Sequence, residues 1–237
     1  MISILIPVYN TAAIFLNECI NSCLNQTFKN YEIVIIDNGS TNQDTLDILN
    51  KYTGRDNIKV FKCDRIEGKK NLSVALNYGL QKCKYNLIAR MDSDDIMCHD
   101  RLQKQKDFFM TNEDVDILGG QIKIFPQGQI TNHKNIITKD IALNSYWFIN
   151  HPTVMFKKDK ILSIGGYKEE PELFAEDYEL WIKSLINNLK IRNLKDVVVF
   201  YRSHGNNLTR KTEKSPTYYD DLKAQQEKLR RVYNDID

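Results

Sequence analysis

The sequence predicts an α/β fold on a mostly parallel central sheet flanked by helices. Three observations carry the prediction. Short runs rich in Ile and Val, at residues 2–8, 31–36, 58–62 and 85–91, alternate with amphipathic stretches of helical length. The first two runs are apolar almost without a break, as strands buried on both faces are. The connections are short, as in strand–helix–strand units.

Taken in order, the first run ends at Pro7, which a strand accepts at its end but not in the middle of a ladder. Residues 13–26 follow as a helix, with Phe15, Leu16, Cys19, Ile20, Cys23 and Leu24 on one face. The second strand runs into Asp37-Asn38-Gly39-Ser40-Thr41, and a helix covers 44–52. After the third strand, 58–62, a helix over 71–82 turns Leu72, Ala75, Leu76 and Leu80 inward. The fourth strand delivers Asp92-Ser93-Asp94-Asp95.

Beyond residue 98 the pattern changes. A helix is expected over 99–110, a strand over 116–125 and a turn at Pro126-Gln127-Gly128. A short helix over 141–148 precedes a loop entering a strand at 150–156, and Gly165-Gly166 makes a tight turn. A helix over 174–186 leads to strands near 190–193 and 197–202. The expected organisation is 1–98 as one half of a domain, 99–210 as its smaller, mixed half, and 211–237 as a helical tail. That tail, a charged helix near 217–233 with Leu222, Leu229 and Val232, reads either as packed on the body or as a membrane-surface or homo-oligomer contact.

The chain of 237 residues is 42% apolar and 27% charged, a globular balance, and its net charge of +2 gives no reason to expect nucleic-acid binding. Five cysteines in odd number, without a CxxC, point to reduced and buried thiols. No Lys or Arg precedes the apolar start and Pro7 interrupts it, so it does not read as a secretory signal. No run approaches the roughly 18 residues of a membrane span. A soluble, cytoplasmic protein is expected, with peripheral membrane attachment left open.

In open α/β sheets ligands gather beyond the carboxyl ends of the strands. Three such ends, at Pro7-Val8-Tyr9-Asn10, Asp37-Asn38-Gly39-Ser40 and Asp92-Ser93-Asp94-Asp95, are polar and would share one rim. Carboxylates this crowded repel by roughly 4 kcal/mol per pair at about 4 Å and an effective dielectric near 20. Solvation, basic neighbours or a divalent cation must offset that. Carboxylate oxygens suit Mg²⁺ or Mn²⁺, ions that usually keep waters and bind phosphates. Dinucleotide binding fits poorly because no G-x-G-x-x-G follows a strand, and no P-loop is present. A calcium loop starting at Asp92 fails at Met97, where Gly is needed, and at Gln103, where Glu is needed. A metal holding a diphosphate survives. Tyr9 would then stack on a base, Asp37 or Asn38 would reach a base edge, Asp92 a ribose hydroxyl, and Asp94 the metal. Singly, each also reads as a packing or turn residue.

The series Ser3-Ile4-Leu5-Ile6-Pro7-Val8-Tyr9-Asn10, Gln26-Thr27-Phe28, Ile35-Ile36-Asp37-Asn38-Gly39-Ser40-Thr41, Ala75-Leu76-Asn77-Tyr78-Gly79, Ala89-Arg90-Met91-Asp92-Ser93-Asp94-Asp95-Ile96, His151-Pro152-Thr153-Val154-Met155-Phe156, Gly165-Gly166-Tyr167 and Ala175-Glu176-Asp177-Tyr178-Glu179-Leu180-Trp181 resembles glycosyltransferase family 2 over roughly residues 2–205. The resemblance implies an inverting enzyme of the GT-A fold, Mn²⁺ or Mg²⁺ on the Asp-x-Asp, a nucleotide-sugar donor (usually a UDP-sugar) and a glycan or other hydroxyl acceptor. It implies Asp177 as catalytic base. An acid at a helix start is otherwise often a cap or dipole partner. The donor set is then Pro7, Tyr9, Asp37, Asn38, Asn71, Asp92 and Ser93, with Asp94 and His204 on the metal. Asp95, His151, Glu176, Trp181 and Arg202 are placed elsewhere in the site, with Arg202 reaching for phosphate. The sequence departs from the family at Asn38, where many members carry a second acid, and at Leu76, where many carry Arg; Lys69 or Lys70 would substitute for the latter. A sugar nucleotidyltransferase is disfavoured because the first strand end lacks a glycine-rich basic loop, and a non-catalytic binding module because Asp92, Asp94 and Asp177 are all present.

Overall fold

Strand β1 (Ile2–Val8) lies between two parallel neighbours, β2 (Tyr31–Asp37) and β4 (Leu87–Arg90), and β3 (Ile58–Lys62) extends the parallel set beyond β2. This is a computed structural model describing residues 1–170 and 175–205, with Asp220, Lys223, Ala224, Glu227, Arg230 and Arg231. Helices α1 (Ala13–Leu24), α2 (Gln43–Tyr52) and α3 (Asn71–Lys82) connect these strands. Side chains alternate across the sheet. Ile4, Ile6, Ile33 and Ile35 meet Leu16, Cys19, Ile20 and Cys23 on one face. Leu5, Val34 and Ile36 meet Val74, Ala75, Leu76 and Leu80 on the other. Pro7 costs the ladder nothing: pairing with β4 stops at Leu5, whose carbonyl accepts from Met91 N, so no partner strand waits on the side where the missing N–H would point.

The second half makes the sheet mixed. β7 (Met155–Lys157) runs antiparallel to β4, and β6 (Ile117–Phe125), β8 (Ile191–Arg202) and β5 (Ile96–Met97) complete the order β3-β2-β1-β4-β7-β6-β8-β5. Around it lie α4 (Arg101–Thr111), α5 (Lys139–Asn144), a 3₁₀ turn at His151–Thr153, α6 (Lys158–Ser163) and α7 (Glu176–Ile186). The two strands expected near 190–193 and 197–202 are one strand. Gly119 pairs with Asn193 but Gln121 with Val197, so β8 bulges between the two pairs. A bulge interrupts the alternating pattern and reads as a gap. The short helix expected over 141–148 lies earlier, at α5, where Thr138 caps it by accepting from Ile141 N. β5 and α6 carry no periodic signal at two and six residues and were not anticipated.

All five cysteines are free and buried. Among the described residues no helix is long and apolar enough to cross a membrane. The expected tail helix, with Leu222, Leu229 and Val232, lies largely outside the described residues; Arg230 within it donates to the Leu143 carbonyl at the end of α5.

Helix α3 reaches the rim because it lies close on the sheet. A Cβ at Gly79 would stand 2.3 Å from Leu5 Cδ1 and 3.0 Å from Ile36 Cγ1. Gly79→Ala is therefore expected to lower unfolding stability by about 1–3 kcal/mol, read as a shift in denaturant midpoint; an unmoved midpoint would contradict this approach.

Candidate active site

The parallel register aligns Val8 with Asp37 and Leu5 with Arg90, so the three polar strand ends do meet at one rim. A cavity of 920 Å³ opens there, lined on one side by Pro7, Tyr9, Asn38 and Arg65 and on the other by Asp92, Ser93, Asp94 and His204. Lys69, Lys70 and Asn71, at the start of α3, line it too. Asn10 joins two strand ends: at φ +49° its Oδ1 accepts from Thr41 N (2.8 Å) and Asn42 N (2.9 Å). Tyr9 is 47% exposed, and the Arg65 guanidinium lies 3.9 Å from the centre of its ring. Arg65 escaped the sequence reading because its loop has no periodicity.

Asp37 and Asn38 have different surroundings. Asp37 Oδ1 accepts from Ser40 N at 2.9 Å and closes the turn after β2. Asn38 lines the cavity; its Nδ2 donates to the Cys63 carbonyl at 3.1 Å, which leaves Oδ1 toward Arg65. Asn71 keeps its amide for the loop before it, accepting from Ile66 N and donating to the Ile66 and Lys69 carbonyls. It shapes the basic loop more than it offers a free group to a ligand.

The acidic triplet splits three ways. Asp92 Oδ1 takes the Arg90 guanidinium at 2.6 Å. Asp94 Oδ2 faces His204 Nε2 at 2.9 Å. Asp95 is fully buried and accepts from Arg202 N at 2.7 Å, while its Oδ2 has no partner. Burial, then the Asp92 charge, pushes the Asp94 carboxyl up against the pull of His204, and burial with both neighbours pushes Asp95 well up. Among the described residues no three or more His, Cys, Asp or Glu side chains gather as a metal cage. Asp94 and His204 offer one oxygen and one nitrogen, which suits an ion that completes its shell with phosphate and water.

Arg202 is a correction to the expected phosphate contact. Its guanidinium pairs with Glu18, donates from Nε to the Asp94 carbonyl at 2.8 Å, and lies over Phe15 and Phe125. The charge is committed to holding the acidic loop. Asp95, expected as a site group, is likewise a buried anchor rather than a cavity wall.

Beneath the loop lie two buried arginines. Arg90 is the last residue of β4 and stands two positions before Asp92. Its Nε and Nη1 lack partners, at about 1–3 kcal/mol for each unmet donor. Arg101 has no carboxylate; it donates to the Arg90, Pro152 and Val154 carbonyls at 2.8–3.1 Å and to Gln105. Burial pulls its pKa down to about 10.

On the far side, Ala175 is the N-cap of α7, so Glu176 and Asp177 occupy its first turn and Asp177 is no cap. Asp177 is partly exposed, and its Oδ1 accepts from Tyr178 N at 2.8 Å. Burial and then Glu176 push its pKa up to about 7, with the Tyr178 N–H and then Arg90 pulling the other way. Lys70 reaches Glu176 Oε2 at 3.4 Å and so links the cavity wall to this helix. His151 is buried against Tyr167 (2.9 Å) and the Trp181 ring (5.7 Å), and burial and then Arg90 hold it well below its usual pKa, hence neutral. Tyr167 is placed by Asn77, which donates to its carbonyl and accepts from its N–H, both at 2.8 Å.

The fold and its acidic rim define a nucleotide-sugar-dependent glycosyltransferase of GT-A type. The chain belongs to glycosyl transferase family 2, whose profile matches residues 3–168. It is 35% identical over 229 residues to the O-antigen biosynthesis glycosyltransferase WbnJ of Escherichia coli, covering 92% of this chain and 84% of that protein. It is 34% identical over 208 residues to the E. coli UDP-Gal:alpha-D-GlcNAc-diphosphoundecaprenol beta-1,3-galactosyltransferase, covering 84% and 73%. Among solved structures, S. aureus TarS 1-349 in complex with UDP-GlcNAc superposes with a TM-score of 0.72 at 23% identity, over 93% of this chain and 64% of that one. The mannosyltransferase PcManGT from Pyrobaculum calidifontis, in complex with GDP-Man and Mn²⁺, gives 0.70 at 15% identity, over 96% and 64%. This chain thus spans just under two thirds of those solved chains, and at these identities they show the fold.

Arg101→Met would leave the carbonyls of Arg90, Pro152 and Val154 without their donor inside the core. The expected loss is about 3 kcal/mol or more of unfolding free energy, measured by denaturant titration; a near-neutral result would show that the carbonyls find other partners.

Proposed function

We propose that this chain transfers a sugar, with inversion, from a UDP-sugar to a hydroxyl of a growing glycan. The observation that carries the reading is the meeting of Asp92 and Asp94 in one cavity wall, with the Glu176–Asp177 pair joined to that wall through Lys70. In this reading Tyr9 and Arg65 form the platform for the base and Asn38 Oδ1 accepts from it. Asp92 and Ser93 take the ribose, and Lys69 and Lys70 face the phosphates. Mn²⁺ or Mg²⁺ would be held by Asp94 and His204 and would supply charge stabilisation for the departing diphosphate. Burial and then the Asp92 charge raise the Asp94 carboxyl, and the charge repulsion is the kind a cation relieves.

Asp177 takes the proton from the acceptor hydroxyl. The freed oxygen attacks the anomeric carbon on the face opposite the leaving diphosphate, and the C–O bond to that diphosphate breaks in the same step. His151, neutral and clamped by Tyr167, and Trp181 form the floor beneath the acceptor. The relatives' printed names favour a carbohydrate acceptor in bacterial surface-glycan assembly.

Incubating the protein with a panel of nucleotide sugars and Mn²⁺ is expected to release UDP from one UDP-sugar; no release from any donor would overturn the reading. Asp177→Asn is expected to lower turnover by about 10²–10⁴-fold while donor affinity stays near wild type. Asp94→Ala should instead weaken Mn²⁺-dependent donor binding, read by calorimetry. The base works only as carboxylate, and its pKa is raised to about 7. Activity should therefore be lost as pH falls through about 7 and be full above it. A wild-type profile flat from pH 5 to 8 would remove Asp177 from the base role.

A further inference from the structure

His204 stands two residues past the end of β8 and lines the cavity. Its Nε2 shares a proton with Asp94 Oδ2 across 2.9 Å. A histidine nitrogen that ligates a cation has no proton to share, so this hydrogen bond cannot orient the ring once a cation takes its place. A second contact does not compete with a ligand: the Phe15 ring lies 5.2 Å from the His204 ring, centre to centre, at an angle of 35°. The apolar face expected of α1 includes Phe15. Yet among the described residues its ring joins neither of the two core clusters and instead lines the cavity.

We propose that Phe15 is a positioning residue for the cation site: its ring flanks the His204 imidazole and holds the plane in which Nε2 points at Asp94. This rests on the reading of Asp94 and His204 as cation ligands in the transferase. Phe15 stands on a rigid support, in the first turn of α1, where the next inward residues Leu16, Cys19 and Ile20 are fully buried. The same helix is tied to the acidic loop, because Cys19 Sγ donates to the Asp92 carbonyl at 3.2 Å. One turn along α1, Glu18 pairs with Arg202, whose guanidinium lies 4.3 Å from the centre of the Phe15 ring and donates from Nε to the Asp94 carbonyl. Between Arg202 and His204, Ser203 N donates to the Phe125 carbonyl at 3.0 Å. The Phe15 ring thus meets the side chains on both sides of Ser203. A packed neighbour that fixes the orientation of a ligating histidine typically supports about 10–100-fold in metal affinity.

The test measures UDP affinity by calorimetry, once in Mn²⁺ and once in EDTA, for wild type, Phe15→Leu, Phe15→Tyr and His204→Ala. The ratio of the two affinities is the cation's contribution, and it needs no turnover. Phe15→Leu removes the flat ring and is expected to cut the ratio by about tenfold, with affinity in EDTA unchanged. Phe15→Tyr keeps the ring and is expected to keep the wild-type ratio. In the His204→Ala background, Phe15→Leu is expected to change the ratio by less than about twofold, because the residue it acts through is gone. Should Phe15→Leu not fold, Phe15→Met carries the same expectations. A wild-type ratio in Phe15→Leu overturns the proposal. An equal loss in EDTA overturns it too, since Phe15 would then act on the nucleotide directly, and so does an equal loss in the His204→Ala background. Wild type that binds UDP no tighter in Mn²⁺ than in EDTA overturns the cation reading of Asp94 and His204 and this inference with it. A Mn²⁺-dependent wild type with an unresponsive Phe15→Leu overturns this inference alone.

Discussion

Three carboxylates within four positions must be kept from repelling one another, and the surrounding architecture follows from how this is done. Each receives its own partner from a different direction. Arg90 meets Asp92 from below, His204 meets Asp94 from the segment after β8, and the Arg202 backbone meets Asp95 from the end of β8. Separate partners split one unfavourable cluster into three local pairs, each with its own geometry. Only Asp94, whose His204 partner is a potential ligand itself, stays both cavity-facing and raised in pKa. The crowding is thus met by Arg90 at Asp92, confined to the core at Asp95, and left at the cavity wall at Asp94, where a cation is useful.

This explains why the second half of the chain is needed for a site assembled mostly from the first. β8 is twelve residues long and crosses beside β6 and β5, ending with Arg202 against the acidic loop. Its guanidinium is clamped by Glu18 from α1 and by the rings of Phe15 and Phe125. Arg101 holds the junction where β4 gives way to antiparallel β7, because there the carbonyls of Arg90, Pro152 and Val154 converge on one guanidinium. A planar fork with five donors fits such a convergence, and a lysine would not. The loop that carries the site is held from both sides by arginines that never face the cavity.

The first half was legible because its signals are local. Parallel strands buried on both faces are continuous apolar runs, and α3 falls where its inward residues place it, from Asn71 to Lys82. The rim followed from topology alone, since parallel strands put their carboxyl ends together. The second half was less legible for a physical reason. A two-residue strand such as β5 has no period to detect, and the bulge in β8 breaks the period it has. The site shows the same division. Tyr9, Asn38 and Asp94 could be placed on the rim from sequence. Arg202 was misjudged because an arginine near a phosphate site and one pairing with a glutamate 184 positions away look alike in one dimension.

Asp94 and Asp177 are both raised carboxylates, but for different reasons. Asp94 is raised by burial and then by the charge of Asp92, which a cation can offset. Asp177 is raised by burial and then by Glu176, and the opposing pull comes first from the Tyr178 N–H that its Oδ1 accepts and then from Arg90, neither of which leaves with the product. A base with a pKa of about 7 is strong enough to take a proton and still ionised in good part at neutral pH. Burial alone would overshoot, leaving the acid protonated; a directly bonded arginine would undershoot, leaving a feeble base. Lys70 on Glu176 trims the like-charge repulsion from the other side. One backbone N–H and cations at a remove can hold a carboxyl at the intermediate strength that proton abstraction requires.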